Sequence, residues 1–458
     1  MPSQDNVIGE AALPRSTPAD QGVDGAGIRA FIEAVAPMKG VELHSLMVVR
    51  HGHVVAEQWW RPYTPETPQL LYSLSKSFTS TALGFAVAEG LVDLDATVLS
   101  YFPEYEDAVA DPRSRSIRVR HVAAMASGHE NDTVDQAMRV GNGDLLRGFL
   151  LIPPDREPGT VFAYNQPCTY ALSAIIRKVS GESLTGFLRP RLFTPLGIDR
   201  VEWHTDFLGR ELGFTGLHAP TEAIAKLGQL YLRHGEWNGR RLLPAEWVAE
   251  ATRSHIRTDQ PDIDWDQGYG FQFWRSRHGY RGDGAFGQLM VILPEADAVV
   301  AITSQSPDMP ALLEAMWTQL LPALTAGRGG GWSPSSPSLP LPTDTGPAGV
   351  LVPTTFLPGP DNQLSTLRTV RVRADDLVLT DGGGHLTARL GEPHAWCTTG
   401  SVATAHGWAD GRLHVDIVFL ETPHRLHVIL DPATEKFDAR WQTVPLQRPL
   451  LSVSHLPR

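Results

Sequence analysis

The stretch LLYSLSKSFTSTALGFAVAEG, Leu70 to Gly90, carries no charge between Lys76 and Glu89. So long an uncharged run, rich in Ala, Phe, Ser and Thr, reads as a helix bound for the interior. A lysine in its first turn has no water-facing side to serve. On a helix, Ser73 and Lys76 stand at i and i+3 on one face, which brings hydroxyl and amine within hydrogen-bonding range. The helix N-terminus adds positive potential that favours an anionic oxygen there. A dry site disfavours the charged ammonium, so the lysine pKa falls toward neutrality. A neutral amine beside a serine can take its proton and leave a nucleophile. S-x-x-K recurs by chance, and the flanking sequence has to decide.

Upstream, SLMVVRHGHVVAEQWW (Ser45 to Trp60) reads as two β-runs about a His-Gly-His turn, an antiparallel hairpin. From Asp93 to Thr258 the pattern is mostly helical; TEAIAKLGQLYLRHGEW places Ile224, Leu227, Leu230 and Tyr231 on one face. Strand character returns at YGFQFW (Tyr269 to Trp274) and QLMVILPEADAVVAITS (Gln288 to Ser304), followed by the helical PALLEAMWTQLLPAL. N- and C-terminal strands thus flank a helical insertion. The expected fold is α/β: one antiparallel sheet flanked by helices, with a helical subdomain inserted.

Three parts are expected. Residues 1–326 form the main domain. The Gly-, Ser- and Pro-rich stretch 327–349 cannot build a packed element and reads as a linker. Residues 350–458 alternate like short strands and form a small all-β domain, a lipocalin-like barrel or a sandwich.

Acids outnumber basic residues, 51 to 39, and lie spread along the chain, which argues against a nucleic-acid partner. Two cysteines, Cys168 and Cys397, make no disulfide framework and favour a reducing compartment. The opening residues lack the basic and apolar regions of a secretion signal, and no apolar run reaches membrane-spanning length. The expectation is a cytoplasmic protein with no membrane partner.

Several blocks in order resemble the superfamily of serine β-lactamases and penicillin-binding proteins, especially its class C-like branch and the family VIII esterases. LMVVRHGHVVAEQWW is similar to its first hairpin, and LYSLSKSFTSTALGFAVAEGLVDLDATVLSYFPEY to its nucleophile helix. VRHVAAMASGHE and REPGTVFAYNQPCTYALSAIIRKVSGESLTGFLRPRLFTPLGI are similar to later family segments, so the likeness runs from about Leu13 to Leu324. S-x-x-K is the first motif of that superfamily. The resemblance implies Ser73 as nucleophile, Lys76 as its base, and Tyr164 as a phenol that shuttles protons to the leaving group. A phenol does this only if a neighbouring cation lowers its pKa, and Lys76 is the expected cation.

The second motif, usually Tyr-x-Asn, falls on Tyr164-Asn165-Gln166, so Asn165 and Gln166 compete for its polar role. The third motif, usually cationic, aligns with Asp283-Gly284-Ala285. A backbone N–H near Ala285 or Phe286, with that of Ser73, is expected to make an oxyanion hole. Asp283 would repel a substrate carboxylate unless Arg281, Arg275 or His278 compensates. This favours a carboxylesterase on neutral acyl substrates, with no cofactor and a small-molecule ester or amide as partner. The alternatives are a β-lactamase, a D-amino-acid amidase or peptidase, a transacylase and, in another class, a non-catalytic binder; the intact Ser73, Lys76 and Tyr164 set speaks against the last.

Other motifs carry less. GDGAFG (Gly282 to Gly287) satisfies G-x-G-x-x-G, but a strand follows it where a dinucleotide site needs a helix. His51 and His53 have no acid or cysteine partner nearby and read as a turn. His129 reads as a turn histidine satisfied locally. Trp59, Trp60 and Trp274 could wall an acyl pocket or simply pack the core.

Overall fold

In a computed structural model, which describes residues 12–327, 330–346, 349, 351–447, 450–455 and 457, an antiparallel sheet of six strands lies at the centre. Its strands are β1 (Glu42–Arg50), β2 (His53–Trp59), β3 (Trp274–Arg275), β4 (Tyr280–Gly284), β5 (Gln288–Leu293) and β6 (Ala298–Gln305). Their order is β2-β1-β6-β5-β4-β3, so the first hairpin joins the late strands through β1 and β6. The His51-Gly52 turn of that hairpin takes φ of 50° and 80°, the left-handed pair that a two-residue hairpin loop requires.

Both faces of the sheet are covered. Leu46, Val48, Val291, Val300 and Ile302 face one core, shared with α1 (Gly25–Val35) and the helical segment Met309–Thr325. Met47, Val49, Met290, Ile292, Val299 and Ala301 face the other. Successive residues of a strand point to opposite faces, so strands apolar in nearly every position belong in a three-layer arrangement. On the second face lie α2 (Ser75–Ala88) and α4 (Thr221–Leu232), while α3 (Gln166–Ser180) packs against α2. Helix α2 is buried from Ser75 through Ala86, as its uncharged sequence predicts. Burying Phe78, Leu83 or Phe85 contributes roughly 1.5–3 kcal/mol each.

Three details differ from the sequence reading. The α-helix starts at Ser75, and Ser73 sits on a preceding 3₁₀ turn, Tyr72–Leu74. The run Tyr269–Trp274 is mostly loop, because buried Gln272 (φ 64°) turns inward and donates to the Ala123 carbonyl at 2.8 Å. Strand β4 has little strand character in sequence, with two glycines and two charges in five residues.

The Gly/Ser/Pro segment has no helix or strand but is laid onto the main domain where it is described. Arg61 N–H donates to the Pro337 carbonyl (2.9 Å), Leu339 N–H to the Arg61 carbonyl (2.8 Å), and Leu339 is buried. Beyond it nine strands form one curled, barrel-like sheet: β7 (Thr355–Pro358), β8 (Leu367–Arg373), β9 (Asp376–Asp381), β10 (Gly384–Arg389), β11 (Cys397–Thr399), β12 (Val402–Ala409), β13 (Arg412–Phe419), β14 (Arg425–Asp431) and β15 (Lys436–Trp441). The Arg389 N–H at the end of β10 donates to the Thr399 hydroxyl of β11 (3.2 Å), bringing the two sheet edges together.

The barrel docks through the β13–β14 connection. Leu70 N–H donates to the Glu421 carbonyl at 2.9 Å, and the buried Arg425 pairs with Glu42 of β1 (3.1 Å) and Asp416 of β13 (3.2 Å). No helix among the described residues is long and apolar enough to cross a membrane.

Candidate active site

Ser73 lies on the turn that delivers the chain into α2, and Tyr72 before it takes φ of 48°. Side-chain sterics make that left-handed conformation costly for a tyrosine. Lys76, one turn on, is buried. Its Nζ donates to Ser73 Oγ at 3.0 Å, to Gln166 Oε1 at 2.7 Å and to the Phe214 carbonyl at 2.8 Å. Burial lowers its ammonium pKa to about 7, with Asp132 and Asp283 pulling the other way.

The three partners of Nζ are unequal. Two are carbonyl oxygens, which can only accept. When the ammonium loses a proton, its two remaining N–H bonds serve those carbonyls and the lone pair is left facing the Ser73 hydroxyl. The geometry therefore orients the amine as a proton acceptor toward that oxygen.

Tyr164 stands beside this pair, its ring centroid 4.6 Å from Lys76 Nζ and its hydroxyl within hydrogen-bonding reach of Ser73. Trp274 stacks on it at 5.4 Å. Burial, with the Asp283 carboxyl adding to it, pushes the phenol pKa above its ordinary value. That reverses the expected lowering by Lys76: a lysine held near neutrality is too weak a cation to offset desolvation. Tyr164 therefore keeps its proton in the resting site.

The two amides of the second motif part company. Gln166, at the start of α3, turns its side chain to Lys76, while its N–H donates to Asp132 Oδ1 (3.1 Å). Asn165 turns the other way, its Oδ1 accepting from the Thr133 N–H (2.9 Å) and hydroxyl (3.0 Å). Gln166 reaches the lysine and Asn165 braces the loop behind it.

Asp283 is buried and bonded to the buried Arg281, whose Nε donates at 3.0 Å. Period-2 spacing puts both on one face of β4. Burial lifts the Asp283 carboxyl above its ordinary value, although Arg281 opposes it. Of the three compensating groups considered, Arg281 is the one on the acid; Arg275 donates to the Thr252 carbonyl and His278 packs on Trp317. Asp283 is therefore not an unpaired repelling carboxylate, and the expectation resting on it loses its basis.

On the opposite face of β4, Gly284 meets the Ser73 turn. A Cβ there would lie 2.1 Å from the Leu71 carbonyl oxygen and 3.1 Å from the Leu74 nitrogen, so only glycine permits this approach. Ala285 and Phe286 follow in the turn to β5. The Phe286 ring packs edge-on against Tyr72 at 5.2 Å.

Asp132 and the Phe214 carbonyl escaped the sequence reading. Asp132 stood inside an Asn-Asp-Thr triplet whose only visible signal was a glycosylation pattern. A main-chain carbonyl leaves no signal. Of the tryptophans, Trp274 lines the site, while Trp60 packs at the barrel interface. His129 is buried and satisfied by the Ser127 hydroxyl (2.9 Å) and the Ile152 carbonyl (3.1 Å). No group of three or more His, Cys, Asp or Glu among the described residues is placed to hold a metal, His51 and His53 included. Cys168 and Cys397 are both free, and burial pushes the Cys168 thiol up to about 12.

A three-layer α/β fold with serine and lysine at the head of its central helix defines the serine β-lactamase and penicillin-binding-protein class. The chain belongs to the beta-lactamase family, whose model matches residues 29–325. A 6-aminohexanoate-dimer hydrolase of Paenarthrobacter ureafaciens is 27% identical over 289 residues, 58% of this chain and 73% of that protein. Among solved structures, a candidate 6-aminohexanoate-dimer hydrolase from Bacillus anthracis superposes with a TM-score of 0.56 at 22% identity, covering 69% of this chain and 88% of that one. EstCE1, a hydrolase with promiscuous acyltransferase activity, gives 0.54 at 16% identity over 66% of this chain and 99% of its own.

Proposed function

We propose that the protein is a serine hydrolase working through an acyl-enzyme on Ser73. Deprotonated Lys76 takes the Ser73 proton as Oγ bonds to the substrate carbonyl carbon. The resulting oxyanion accepts from the Ser73 N–H and from an N–H at Ala285 or Phe286. Tyr164, protonated at rest, gives its proton to the leaving group as the bond to the carbonyl carbon breaks, and is reprotonated from Lys76. Water then bonds to the acyl carbon, giving one proton to the same groups, and that proton passes to Ser73 Oγ as the bond between Oγ and the acyl carbon breaks, releasing the acid and freeing Ser73. The observation that carries this reading is the partnering of Lys76 Nζ: two fixed acceptors and one hydroxyl aim its lone pair at Ser73.

The substrate class follows from charge. Within the site, Lys76 is near neutrality, Tyr164 is neutral and Asp283 is paired with Arg281. Asp132, whose Oδ1 accepts from the main-chain N–H groups of Val134 and Gln166, is the carboxylate here that no described cation pairs with, so an acyl group without negative charge suits the site, which supports small carboxylic esters as the first choice. Linear amides are the second reading, favoured by the similarity to the 6-aminohexanoate-dimer hydrolase.

p-Nitrophenyl acetate and butyrate, a 6-aminohexanoate dimer and nitrocefin, tested on wild type and Ser73→Ala, distinguish these. Ester turnover and fluorophosphonate labelling that vanish in Ser73→Ala are expected. Turnover and labelling independent of Ser73 would refute the acyl-enzyme. Nitrocefin turnover matching the esters would move the assignment to a β-lactamase.

A further inference from the structure

One residue of the barrel reaches the turn that carries Ser73. His424 lies on the connection after β13 and is buried, like Tyr72. Its Nδ1 is 3.1 Å from the Thr443 carbonyl and its Nε2 is 2.6 Å from the Tyr72 hydroxyl. A carbonyl can only accept, so Nδ1 carries the proton and Nε2 presents its lone pair. The Tyr72 hydroxyl is then the donor. Burial holds the imidazole neutral, its pKa lowered to about 4, which preserves this arrangement through the neutral range.

Two further contacts give the pair a purpose. The Phe286 ring packs edge-on against both the Tyr72 ring (5.2 Å) and the His424 ring (5.1 Å). Tyr72 precedes Ser73, and Phe286 follows Ala285. The two backbone segments proposed to supply oxyanion donors thus each carry an aromatic side chain seated on one histidine. Tyr72 is also in the left-handed backbone conformation, which a non-glycine residue keeps only where its surroundings offset the steric cost. Next to it, the Leu70 N–H is fixed by the Glu421 carbonyl.

We infer that His424 is a positioning residue for acyl transfer: by accepting from Tyr72 and packing on Phe286, it sets the Ser73 turn and the oxyanion turn relative to each other. The inference rests on the acyl-enzyme reading of Ser73 and gives the barrel a role in the chemistry without touching the substrate. A misplacement of the donors by about 1 Å is enough to slow the acylation step markedly.

The test uses the full chain with His424→Ala, His424→Gln, Tyr72→Phe and the Tyr72→Phe/His424→Ala double variant. Thermal midpoints are recorded alongside the second-order fluorophosphonate labelling rate and kcat and KM for p-nitrophenyl butyrate. His424→Ala and Tyr72→Phe are expected to lower the labelling rate and kcat about tenfold or more, with KM within about twofold. The two losses should fall well short of multiplying in the double variant, because the Tyr72–His424 hydrogen bond is already gone from each single one, although Tyr72→Phe also gives up a main-chain contact at Leu446 and His424→Ala the packing on Phe286. His424→Gln, whose Oε1 can accept where Nε2 did, should recover most of the rate. Tyr72→Phe removes a single oxygen and remains a fair test if His424→Ala does not fold.

Wild-type labelling rates in His424→Ala or Tyr72→Phe, losses that multiply in the double variant, or a Gln variant as slow as the Ala variant would each overturn the inference. So would an effect confined to KM, which would mark a substrate contact. An unlabelled wild type would bring down the Ser73 reading and this one together; a labelled wild type with an indifferent histidine brings down this one alone.

Discussion

At the scale of single residues, the proposed role of Lys76 predicts a working pH. Its burial favours the neutral amine, and the proposed base must be neutral to accept the Ser73 proton. With the ammonium pKa lowered to about 7, the competent fraction grows as pH rises through that value. Acylation should therefore fall about tenfold per pH unit below about 6 and level off above about 8. Tyr164 stays protonated across that plateau, because burial moves its pKa upward. Labelling rate against pH checks this. Lys76→Arg, which keeps a cation that cannot deprotonate, should lose about 10²–10⁴-fold with the fold retained. Ser73 and Lys76 were legible in the sequence because their relation is local and the silence of residues 77–88 exposed the lysine as misplaced. The choice between Asn165 and Gln166 was not, since it turns on Thr133, which meets Asn165 from another segment. The Arg281–Asp283 pairing could have been read from period-2 spacing, yet only burial tells whether such a pair closes on itself or faces a ligand.

At the scale of elements, the site depends on how closely β4 and the Tyr72–Leu74 turn approach. Gly284 allows the contact, and a methyl group there would strike the Leu71 carbonyl at 2.1 Å. Gly284→Ala should force strand and turn apart by displacing main chain, which yields less readily than a side chain. The expected outcome is a loss of labelling of about 10²-fold or more with a smaller effect on the thermal midpoint. Labelling at the wild-type rate would show that the strand does not frame the nucleophile. The hairpin and the two long central strands were legible from alternation and β-branched runs. Strand β4 was not, because its glycines and charges answer to its neighbours rather than to strand propensity.

At the scale of the whole molecule, the barrel and the hydrolase domain share buried charge. Arg425 pairs with Glu42 across the interface and with Asp416 in its own sheet, and Asp416 accepts from His427 at 2.6 Å. Removing one member of a buried ionic group leaves the others without compensation. Arg425→Ala should therefore cost about 3–5 kcal/mol, read as a lower thermal midpoint. An unchanged midpoint would show the interface held by its apolar contacts alone. The sequence announced a second domain and a linker but gave no sign that the two domains meet beside Ser73. Tyr72 and His424 are 352 positions apart, and no periodicity connects them.

That separation also has a meaning in time. During synthesis the Ser73 turn emerges early, and the sheet beside it stays open until β6 arrives to pair with β1. The Glu421 carbonyl and the His424 ring come later still. A ribosome-bound chain can thus display its serine and lysine long before Leu70 and Tyr72 have their partners. The wait leaves the half-built Ser73 turn without its braces until the barrel's β13–β14 connection has been made.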